Sequence, residues 1–389
     1  MTKMTTQSNL FPSLLMAGYE CTYALKSDGK RLDLLKATAH DKFCREDYKL
    51  LNQLGIKTVR EGLSWSQISP IPQEYNFKRF ELMMKIAQEE GVKQIWDLNH
   101  FDYPDYLDPF SQDFVAEFAR YAKKAIRLIR KYQTGTIFIV PQNEISYYSY
   151  KGADKGSWAP FTKARGNEFK KQLALASIKA MDAIWEEDKD VRFIQVDPLF
   201  YRKQKEPFSP EKADIEKIFN QVRFMGWDIL AGNIYPELGG NSKYLDIIGC
   251  NYYIQNQEWI IGSDWIDRKS YETIDWADKG RISLQTLLTD VYKRFNRPIV
   301  ITETGGYISG EVAKSAWWKK IIPEIESAIA ANIPIEGICA YPILDMYDWG
   351  DDHLTHPGIW DFKDEDTSLA RIPDLDSIAY LKSKFNNYN

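Results

Sequence analysis

Residues 136–144 of this 389-residue chain read TIFIVPQNE. A short run of Ile, Phe and Val leads through Pro141 to an amide and a carboxylate, Asn143 and Glu144. Such a run is typical of a strand that is buried on both of its faces. An ionisable group at the end of a buried strand costs free energy unless it is paired or takes part in chemistry. Glu144 is therefore either a structural carboxylate with a partner or one half of a catalytic pair.

Seven further apolar runs alternate with amphipathic segments of helical spacing, such as residues 112–132 and 162–187. The eight apolar runs occupy residues 14–20, 57–65, 92–100, 136–144, 191–198, 246–253, 298–306 and 335–345. Eight β–α units in a chain of this length predict an α/β fold, a single (β/α)8 TIM barrel. We expect one domain over residues 1–389, with residues 1–10 as a flexible tail.

An open, doubly wound sheet also alternates strands and helices. Such sheets often carry a glycine-rich phosphate-binding turn after the first strand. The chain contains neither G-x-G-x-x-G nor G-x-x-x-x-G-K-[ST]. The count of eight units therefore favours the closed barrel over the open sheet.

The composition argues against several partners. The formal net charge is −5 with Lys and Arg scattered along the chain, so the basic stripe of a nucleic-acid-binding protein is missing. No apolar leader follows the polar N-terminus, and no apolar run approaches the ~18 residues of a membrane-spanning helix. The four cysteines form no C-x-x-C pair, which indicates reduced thiols. We expect a cytoplasmic protein without nucleic-acid or membrane partners.

Polar side chains cluster at the ends of the predicted strands, where the catalytic groups of such barrels lie. Glu144 ends the fourth run and Glu303 lies in the seventh. Two carboxylates that face each other can hydrolyse a glycosidic bond, one as the acid and the other as the nucleophile or base. We predict that Glu144 is the acid, since burial and a negative Glu303 favour its protonated form. Glu303 would be the nucleophile, kept ionised by Arg60 and a hydroxyl donor such as Tyr253.

The same strand ends carry the motifs of a known family. They read AGYECTY (17–23), REGLSWSQISP (60–70), LNHFDYPDYL (98–107), NEISYYSYKGADKGSWAPF (143–161), DIIGCNYY (246–253), ITETGG (301–306) and ILDMYDW (343–349) with PGIWDF (357–362). In this order the motifs resemble those of retaining β-glycosidases with a (β/α)8 barrel, and most of all family 1 glycoside hydrolases. The resemblance extends over about residues 14–362.

The resemblance implies a retaining β-glycosidase with Glu144 as acid/base and Glu303 as nucleophile. Its substrate would be a β-linked neutral sugar, a β-glucoside or β-galactoside, in a small glycoside or oligosaccharide. The residues predicted to bind substrate are Glu20, Arg60, His100, Asn143, Asn251, Tyr253, Tyr341, Asp348 and Trp349. One or two of the loop aromatics would form a platform for the leaving group, and the candidates are Tyr147, Tyr148, Trp158, Trp259, Trp265 and Trp276.

Some positions depart from the family pattern. Glu20 stands in place of a sugar-binding Gln, Ile145 in place of Pro, and Thr304 in place of Asn. In addition, Asp348 replaces a Glu, and Tyr341 stands near the position of a Trp. These changes lie among the predicted sugar contacts, so the identity of the sugar stays open.

Other functions are less well supported. A metal-dependent hydrolase needs a cluster of His and carboxylate ligands, but the chain has four histidines and no H-x-H pair after the first run. The G-x-S-x-G of a serine hydrolase is absent. We expect no metal or cofactor. Two alternatives on the same scaffold stay open: a carbohydrate-binding barrel with weak turnover, and a transglycosylase, in which an acceptor sugar replaces water.

Overall fold

The computed structural model describes residues 10–306, 313–350, 353–363 and 368–385. Eight parallel strands form a closed barrel, and each predicted apolar run contributes one of them. Numbered along the chain, they are β1 (Leu15–Gly18), β2 (Thr58–Gly62), β3 (Lys93–Asp97), β4 (Ile137–Val140), β5 (Val191–Pro198), β6 (Ile247–Asn251), β7 (Ile299–Thr304) and β8 (Ile335–Ala340). The (β/α)8 prediction is confirmed. Of the predicted tail, residues 1–9 lie outside the described residues.

Helices follow the strands and cover the outside of the barrel. They are α1 (Leu34–Ala37), α2 (His40–Leu51), α3 (Trp65–Ile68), α4 (Lys78–Glu90), α5 (Gln112–Tyr132), α6 (Ile145–Ser149), α7 (Gly166–Glu187), α8 (Pro210–Val222), α9 (Met225–Ala231), α10 (Leu284–Phe295), α11 (Ser315–Ala330) and α12 (Leu375–Phe385). The prediction for α5 is correct to the residue. The predicted start of α7 at residue 162 is wrong, because the helix begins at Gly166, whose N–H donates to the Asp154 side chain at 2.7 Å.

The strands are apolar on both faces because the barrel has two cores. Phe138 and Val140 of β4 point into the barrel, where they join a cluster that also contains Met16 and Val300. The alternate residues of β4, such as Ile139, belong to the larger cluster between barrel and helices. Side chains on a strand point alternately to its two faces, so a strand with a core on each side reads as a continuous apolar run.

A second, three-stranded sheet lies outside the barrel and was not predicted. It consists of Tyr201–Gln204, Gln257–Ile260 and Tyr271–Thr273, with Gln257–Ile260 in the middle. Two shorter antiparallel pairs join Met346–Tyr347 to Leu354–Thr355 and Trp360–Asp361 to Ile372–Pro373. All of these strands are two to four residues long, too short for a periodic pattern to reveal them.

All four cysteines are free and buried, and their reduced state stays a prediction. Within the described ranges, no helix combines the length and the apolar character that crossing a bilayer requires.

A buried ion cluster connects α2 to β2 and to the C-terminal segment. The His40 ring lies between two carboxylates, with Nδ1 2.7 Å from Asp47 and Nε2 3.0 Å from Glu61. Arg371 donates to the other oxygen of Asp47 at 2.7 Å. Burial alone would lower the pKa of His40, but Glu61 and Asp47 outweigh burial and raise the pKa to about 9. His40 is therefore an imidazolium at neutral pH, which gives the cluster a second cation.

Because of this cluster, the folded protein should become less stable as the pH rises into the alkaline range. Because the folded-state pKa of His40 lies above its unfolded value, its stabilisation is complete below about pH 6.5 and is lost as the pH rises through about 9. The loss amounts to about 3 kcal/mol of the free energy of unfolding. We predict that the free energy of unfolding of wild type falls between pH 6 and pH 9.5, and that it falls by about 3 kcal/mol more than that of His40→Gln. Urea unfolding at each pH measures the difference. His353→Gln, at an exposed position, should follow wild type, and parallel curves for His40→Gln and wild type would refute the linkage.

Candidate active site

A cavity of about 680 Å³ opens at the C-terminal ends of the barrel strands. Glu144, four residues after β4, and Glu303, the penultimate residue of β7, both line it. Their exposed fractions are 7% and 6%, so each carboxylate meets solvent only through the cavity. Parallel strands in a closed barrel bring all of their C-terminal ends to one rim, which is why residues 159 positions apart in sequence (303 minus 144) share one site.

Both carboxylate oxygens of Glu303 accept hydrogen bonds. Arg60 Nη1 donates to Oε1 at 2.6 Å, and the Tyr253 hydroxyl donates to Oε2 at 2.9 Å. Tyr253 is oriented in turn, because its backbone N–H donates to the side chain of Asn256 at 2.6 Å. Burial raises the pKa of Glu303, and the Arg60 guanidinium opposes that rise. Glu303 therefore has a fixed orientation and a cation beside it.

Arg60 connects three strands beneath the cavity. Its Nε and Nη2 donate to the two oxygens of Asp97 on β3, at 3.0 and 2.6 Å, and Nη2 also donates to Asn143 Oδ1 at 2.7 Å. Burial alone would lower the pKa of Arg60, but Asp97 and Glu303 outweigh burial and raise it. Sequence reasoning missed Asp97. A carboxylate inside the otherwise apolar run QIWDL was the signal that pointed to it.

Glu144 has a different environment. Asn251 Nδ2 donates to its Oε1 at 2.9 Å, and no described lysine or arginine forms an ion pair with it. Burial raises the pKa of Glu144 well above its usual range, and the charge of Glu303 adds to the rise. The backbone of Glu144 is in the left-handed region, with φ of 44°, which costs a non-glycine residue about 1–3 kcal/mol. Burial and a neighbouring negative charge thus favour the protonated form of Glu144.

Asp197, at the end of β5, is a further carboxylate that sequence reasoning missed. It accepts a hydrogen bond from the backbone N–H of Ser146 at 2.9 Å, and burial raises its pKa to about 6. Its charge also acts to raise the pKa of Glu144. The signal was again an acid at the end of a buried run, VRFIQVDP.

The side chains predicted to bind substrate all lie at this end of the barrel, in two groups. Those that line the cavity are Glu20, Tyr253, Asp348 and Trp349. Those that lie behind its wall, each at most 2% exposed, are Arg60, His100, Asn143, Asn251 and Tyr341. The structure thus assigns the second group a supporting position, and direct contact between these five residues and a sugar stays a prediction.

The residues behind the wall hold one another. Asn143 Nδ2 lies 3.0 Å from His100 Nε2, and since an amide nitrogen only donates, Nε2 accepts. The ring proton is then on Nδ1, 3.0 Å from Asp97. The Tyr341 ring is parallel to that of His100, with centroids 6.3 Å apart, and Arg60 lies 5.3 Å from the Tyr341 ring. This network fixes the orientation of Asn143, the neighbour of Glu144.

The outer part of the cavity is mainly apolar and aromatic. Its walls include Phe200, Ile218, Phe219, Met225, Trp265 and Tyr271. Arg202 of the second sheet lies 3.7 Å from the Phe219 ring and 3.9 Å from the Tyr271 ring. Of the loop aromatics expected to form a platform, Tyr147 and Trp265 line the cavity. The second sheet therefore supplies a wall that the sequence did not predict.

Within the part of the chain that the structure describes, two groups of side chains are close enough together to bind a metal ion. They are Cys21, Asp97 and His100, and Asp345, His356 and Asp361. The first group already has the Arg60 guanidinium on Asp97, and the second has the Lys314 ammonium 3.2 Å from Asp345. A cation of the protein thus neutralises each group, and neither set of ligands fits a resident metal well.

A closed (β/α)8 barrel with two buried carboxylates across its C-terminal cavity is the architecture of a glycoside hydrolase. The family model for glycosyl hydrolase family 1 matches residues 27–238, more than half of the chain. The chain belongs to this family, and it is a glycosidase that acts on β-glycosides.

Curated relatives and a solved structure are similar to the chain over most of its length. The chain is 22% identical to the cytosolic beta-glucosidase of Homo sapiens, over 88% of this chain and 86% of that protein. It is 23% identical to beta-glucosidase 1B of Phanerodontia chrysosporium, over 92% and 78%. The beta-glucosidase of Thermotoga maritima, solved with glucoimidazole, superposes with a TM-score of 0.76 at 17% identity, over 97% of this chain and 98% of that chain.

The Arg60 network predicts a large loss of stability when its cation is removed. Arg60→Leu leaves Asp97 and Glu303 buried without their cation, which costs about 3–5 kcal/mol of the free energy of unfolding. Arg192→Leu is the matched control, because Arg192 pairs with Asp246 where their side chains are 32% and 29% exposed, and should cost about 1 kcal/mol or less. Equal losses in chemical denaturation would show that the Arg60 network does not stabilise the barrel.

Proposed function

We propose that the chain is a retaining β-glycoside hydrolase in which Glu303 is the nucleophile and Glu144 is the general acid/base. The observation that carries the proposal is the contrast between the two carboxylates. Glu303 has a cation and a hydroxyl donor on its two oxygens, whereas Glu144 is buried with an amide donor alone. A pair of carboxyl groups with environments that separate their pKa values is what acid–nucleophile catalysis requires.

The environment of Glu303 suits a nucleophile. Its negative charge is balanced by Arg60 at 2.6 Å, and Tyr253 fixes the second oxygen at 2.9 Å. A carboxylate held in one orientation can meet the anomeric carbon without reorganisation, which lowers the entropic part of the barrier. The hydrogen bonds still leave a lone pair on each oxygen for bond formation.

The environment of Glu144 suits a general acid. Burial and the charge of Glu303 hold its proton until a better acceptor, the glycosidic oxygen, develops negative charge. Once Glu303 becomes an ester, its charge is gone and the pKa of Glu144 falls. The residue is then an effective base for the incoming water. One side chain thus acts as acid in the first step and as base in the second.

The reaction takes two displacements. Glu303 attacks the anomeric carbon while Glu144 gives its proton to the leaving oxygen, so the glycosidic bond breaks and a covalent glycosyl ester forms. Water then loses a proton to Glu144 and attacks the same carbon. The ester bond breaks, the sugar leaves with its β configuration, and both carboxyl groups return to their starting states.

The substrate we propose is a β-glucoside or β-galactoside. Two of the relatives are named beta-glucosidases, which supports a glucoside. Glu20, Asp348 and Trp349 line the cavity and are positioned to contact the sugar. The indole Nε1–H of Trp349 is buried and has no acceptor within the described residues, so a sugar hydroxyl would satisfy it. The apolar outer wall suits an apolar or aromatic leaving group.

Removal of each carboxylate should have a different result. Glu303→Ala should lower kcat at least 10³-fold on aryl β-glycosides, and azide should restore turnover with an α-glycosyl azide as product. Glu144→Ala should still cleave a 2,4-dinitrophenyl glycoside, whose leaving group needs little protonation. Products and rates are followed by NMR and absorbance.

Glu258→Gln is the matched control for these variants. Glu258 also lines the cavity, but it pairs with Arg202 at 2.7 Å and Arg268 at 2.7 Å. A β-glycosyl azide from Glu303→Ala, or an equal loss in Glu258→Gln, would contradict the assignment. Wild type that binds oligosaccharides but hydrolyses no β-glycoside would favour a binding protein.

The pH profile should report the contact between Asn251 and Glu144. The Asn251 amide acts to lower the pKa of Glu144, so Asn251→Leu should raise that pKa and move the alkaline limb of kcat/KM to higher pH. Gln255→Ala is the control, because Gln255 lines the same cavity at an exposed position. A limb that stays in place in Asn251→Leu would show that another group controls it.

A further inference from the structure

Glu20 is a buried carboxylate with one free oxygen at the cavity. Its Oε1 accepts from the backbone N–H and the hydroxyl of Thr22, at 3.0 and 2.5 Å. Its Oε2 has no donor among the described residues, although the side chain is only 4% exposed. Because Glu20 lines the cavity, a bound ligand can reach Oε2. Oε2 thus offers a bound ligand a carboxylate acceptor that no donor of the described residues occupies.

No neighbouring cation of the described residues neutralises Glu20. His100 Nε2 lies 4.0 Å from Oε1, but it accepts from Asn143 and therefore carries no proton there. The Arg60 guanidinium donates to Asp97, Glu303 and Asn143 instead.

Lys151 also lines the cavity, and its charge interacts with that of Asp348. The Lys151 ammonium lies 4.9 Å from the centroid of the Trp158 ring. Asp348 in turn accepts from the backbone N–H of Gly350 at 2.6 Å. The Lys151 ammonium is therefore placed near Asp348 and Trp158. A positive group on the ligand would then be the partner that balances the charge of Glu20.

Glu20 lies on the side of the cavity that belongs to the nucleophile. Burial raises the pKa of Tyr253 and of Glu303, and the charge of Glu20 adds to both rises. The main influences on Glu144, besides its burial, are Glu303, Asn251, Asp197 and Arg60. Glu144 meets the leaving oxygen, so the side that holds Glu303 and Glu20 receives the sugar whose anomeric carbon reacts.

We propose that Glu20 selects a sugar that carries a protonated amine, so that this site takes a β-linked amino sugar in preference to its hydroxyl counterpart. The inference rests on the proposed function, because that function assigns this side of the cavity to the reacting sugar. A hydroxyl can donate to Oε2, but an ammonium group donates and also balances the charge. Hydrogen bonds with both partners charged are roughly twice as strong as neutral ones. The same carboxylates, Glu20 and Asp348, repel a uronic acid.

Binding to the folded enzyme tests the proposal. The probes are methyl β-D-glucopyranoside and four analogues in which the hydroxyl at C-2, C-3, C-4 or C-6 is replaced by an amine, titrated by calorimetry at pH 6. We expect at least one amine to bind wild type about tenfold more tightly than the parent glycoside. In Glu20→Gln the ratio of the two affinities should fall to about one. Glu20→Ala provides a second variant without the carboxylate, and the melting temperature of each shows that it is folded.

Glu258→Gln is the matched control for charge, since it removes a cavity-lining carboxylate that is already paired with Arg202 and Arg268. The affinity ratio in this variant should equal that of wild type. The proposal is overturned if no amine binds wild type more tightly than the parent, or if the preference survives in Glu20→Gln. Hydrolysis of the corresponding 4-nitrophenyl glycosides is measured separately. Amine preference without hydrolysis would refute the proposed function alone, and hydrolysis without amine preference would refute this inference alone.

Discussion

Arg60 places one positive charge between Asp97 on β3 and Glu303 on β7, inside a closed barrel that water reaches only through the cavity. Neither carboxylate could stay ionised there alone, because a buried charge without a partner costs several kcal/mol. The same guanidinium binds the Asn143 side chain and so fixes the backbone that carries Glu144. Nucleophile and acid are thus positioned by a single cation, and its long side chain explains how β2 controls groups on β4 and β7.

The two carboxylates have different hydrogen-bond donors because their backbones occupy different positions relative to the barrel strands. Glu303 is still part of β7, so its side chain extends across the barrel mouth toward Arg60 and Tyr253. Glu144 lies beyond β4 with its backbone in the left-handed region, and among the described residues Asn251 is the one side-chain donor to its carboxyl group. The strain at Glu144 is held by neighbouring contacts, among them the hydrogen bond from its N–H to the Val196 carbonyl at 3.1 Å. The backbone conformation at each glutamate therefore determines which donors can reach its carboxyl group.

The barrel could be predicted because its strands are buried on two faces, so most of them appear in the sequence as short runs rich in apolar residues. Glu144 and Glu303 could be predicted because they stand at or just after the ends of such runs, and α5 could be predicted from its helical spacing of apolar residues. The second sheet was not predictable. Tyr201–Gln204 and Tyr271–Thr273 are short and partly exposed, so no hydrophobic period distinguishes them from loop.

The hydrogen bonds that hold the site residues in place were harder to predict than the identity of those residues. The strand-end pattern identified His100 and Asn143 as site residues. It did not predict that the Asn143 amide would hydrogen-bond to His100 through its nitrogen and to Arg60 through its oxygen. Asp97 was missed because the apolar run was taken to continue to residue 100, whereas the strand ends at Asp97. Which side chain meets which depends on rotamers across the barrel interior, and these are set by packing and not by the spacing along one strand.

The ring of strands closes where β1 meets β8, and there Leu15 pairs with Ile338. The chain must be synthesised as far as β8 (Ile335–Ala340) before the first strand has both of its neighbours. Until then β1 has one unpaired edge, which is a hazard for aggregation during synthesis. Loop closure over such a separation is slow, and contacts of this range delay folding. The barrel that brings eight strand ends around one cavity can therefore close only when β8 is present. A product truncated before β8 would be an open sheet without a working site.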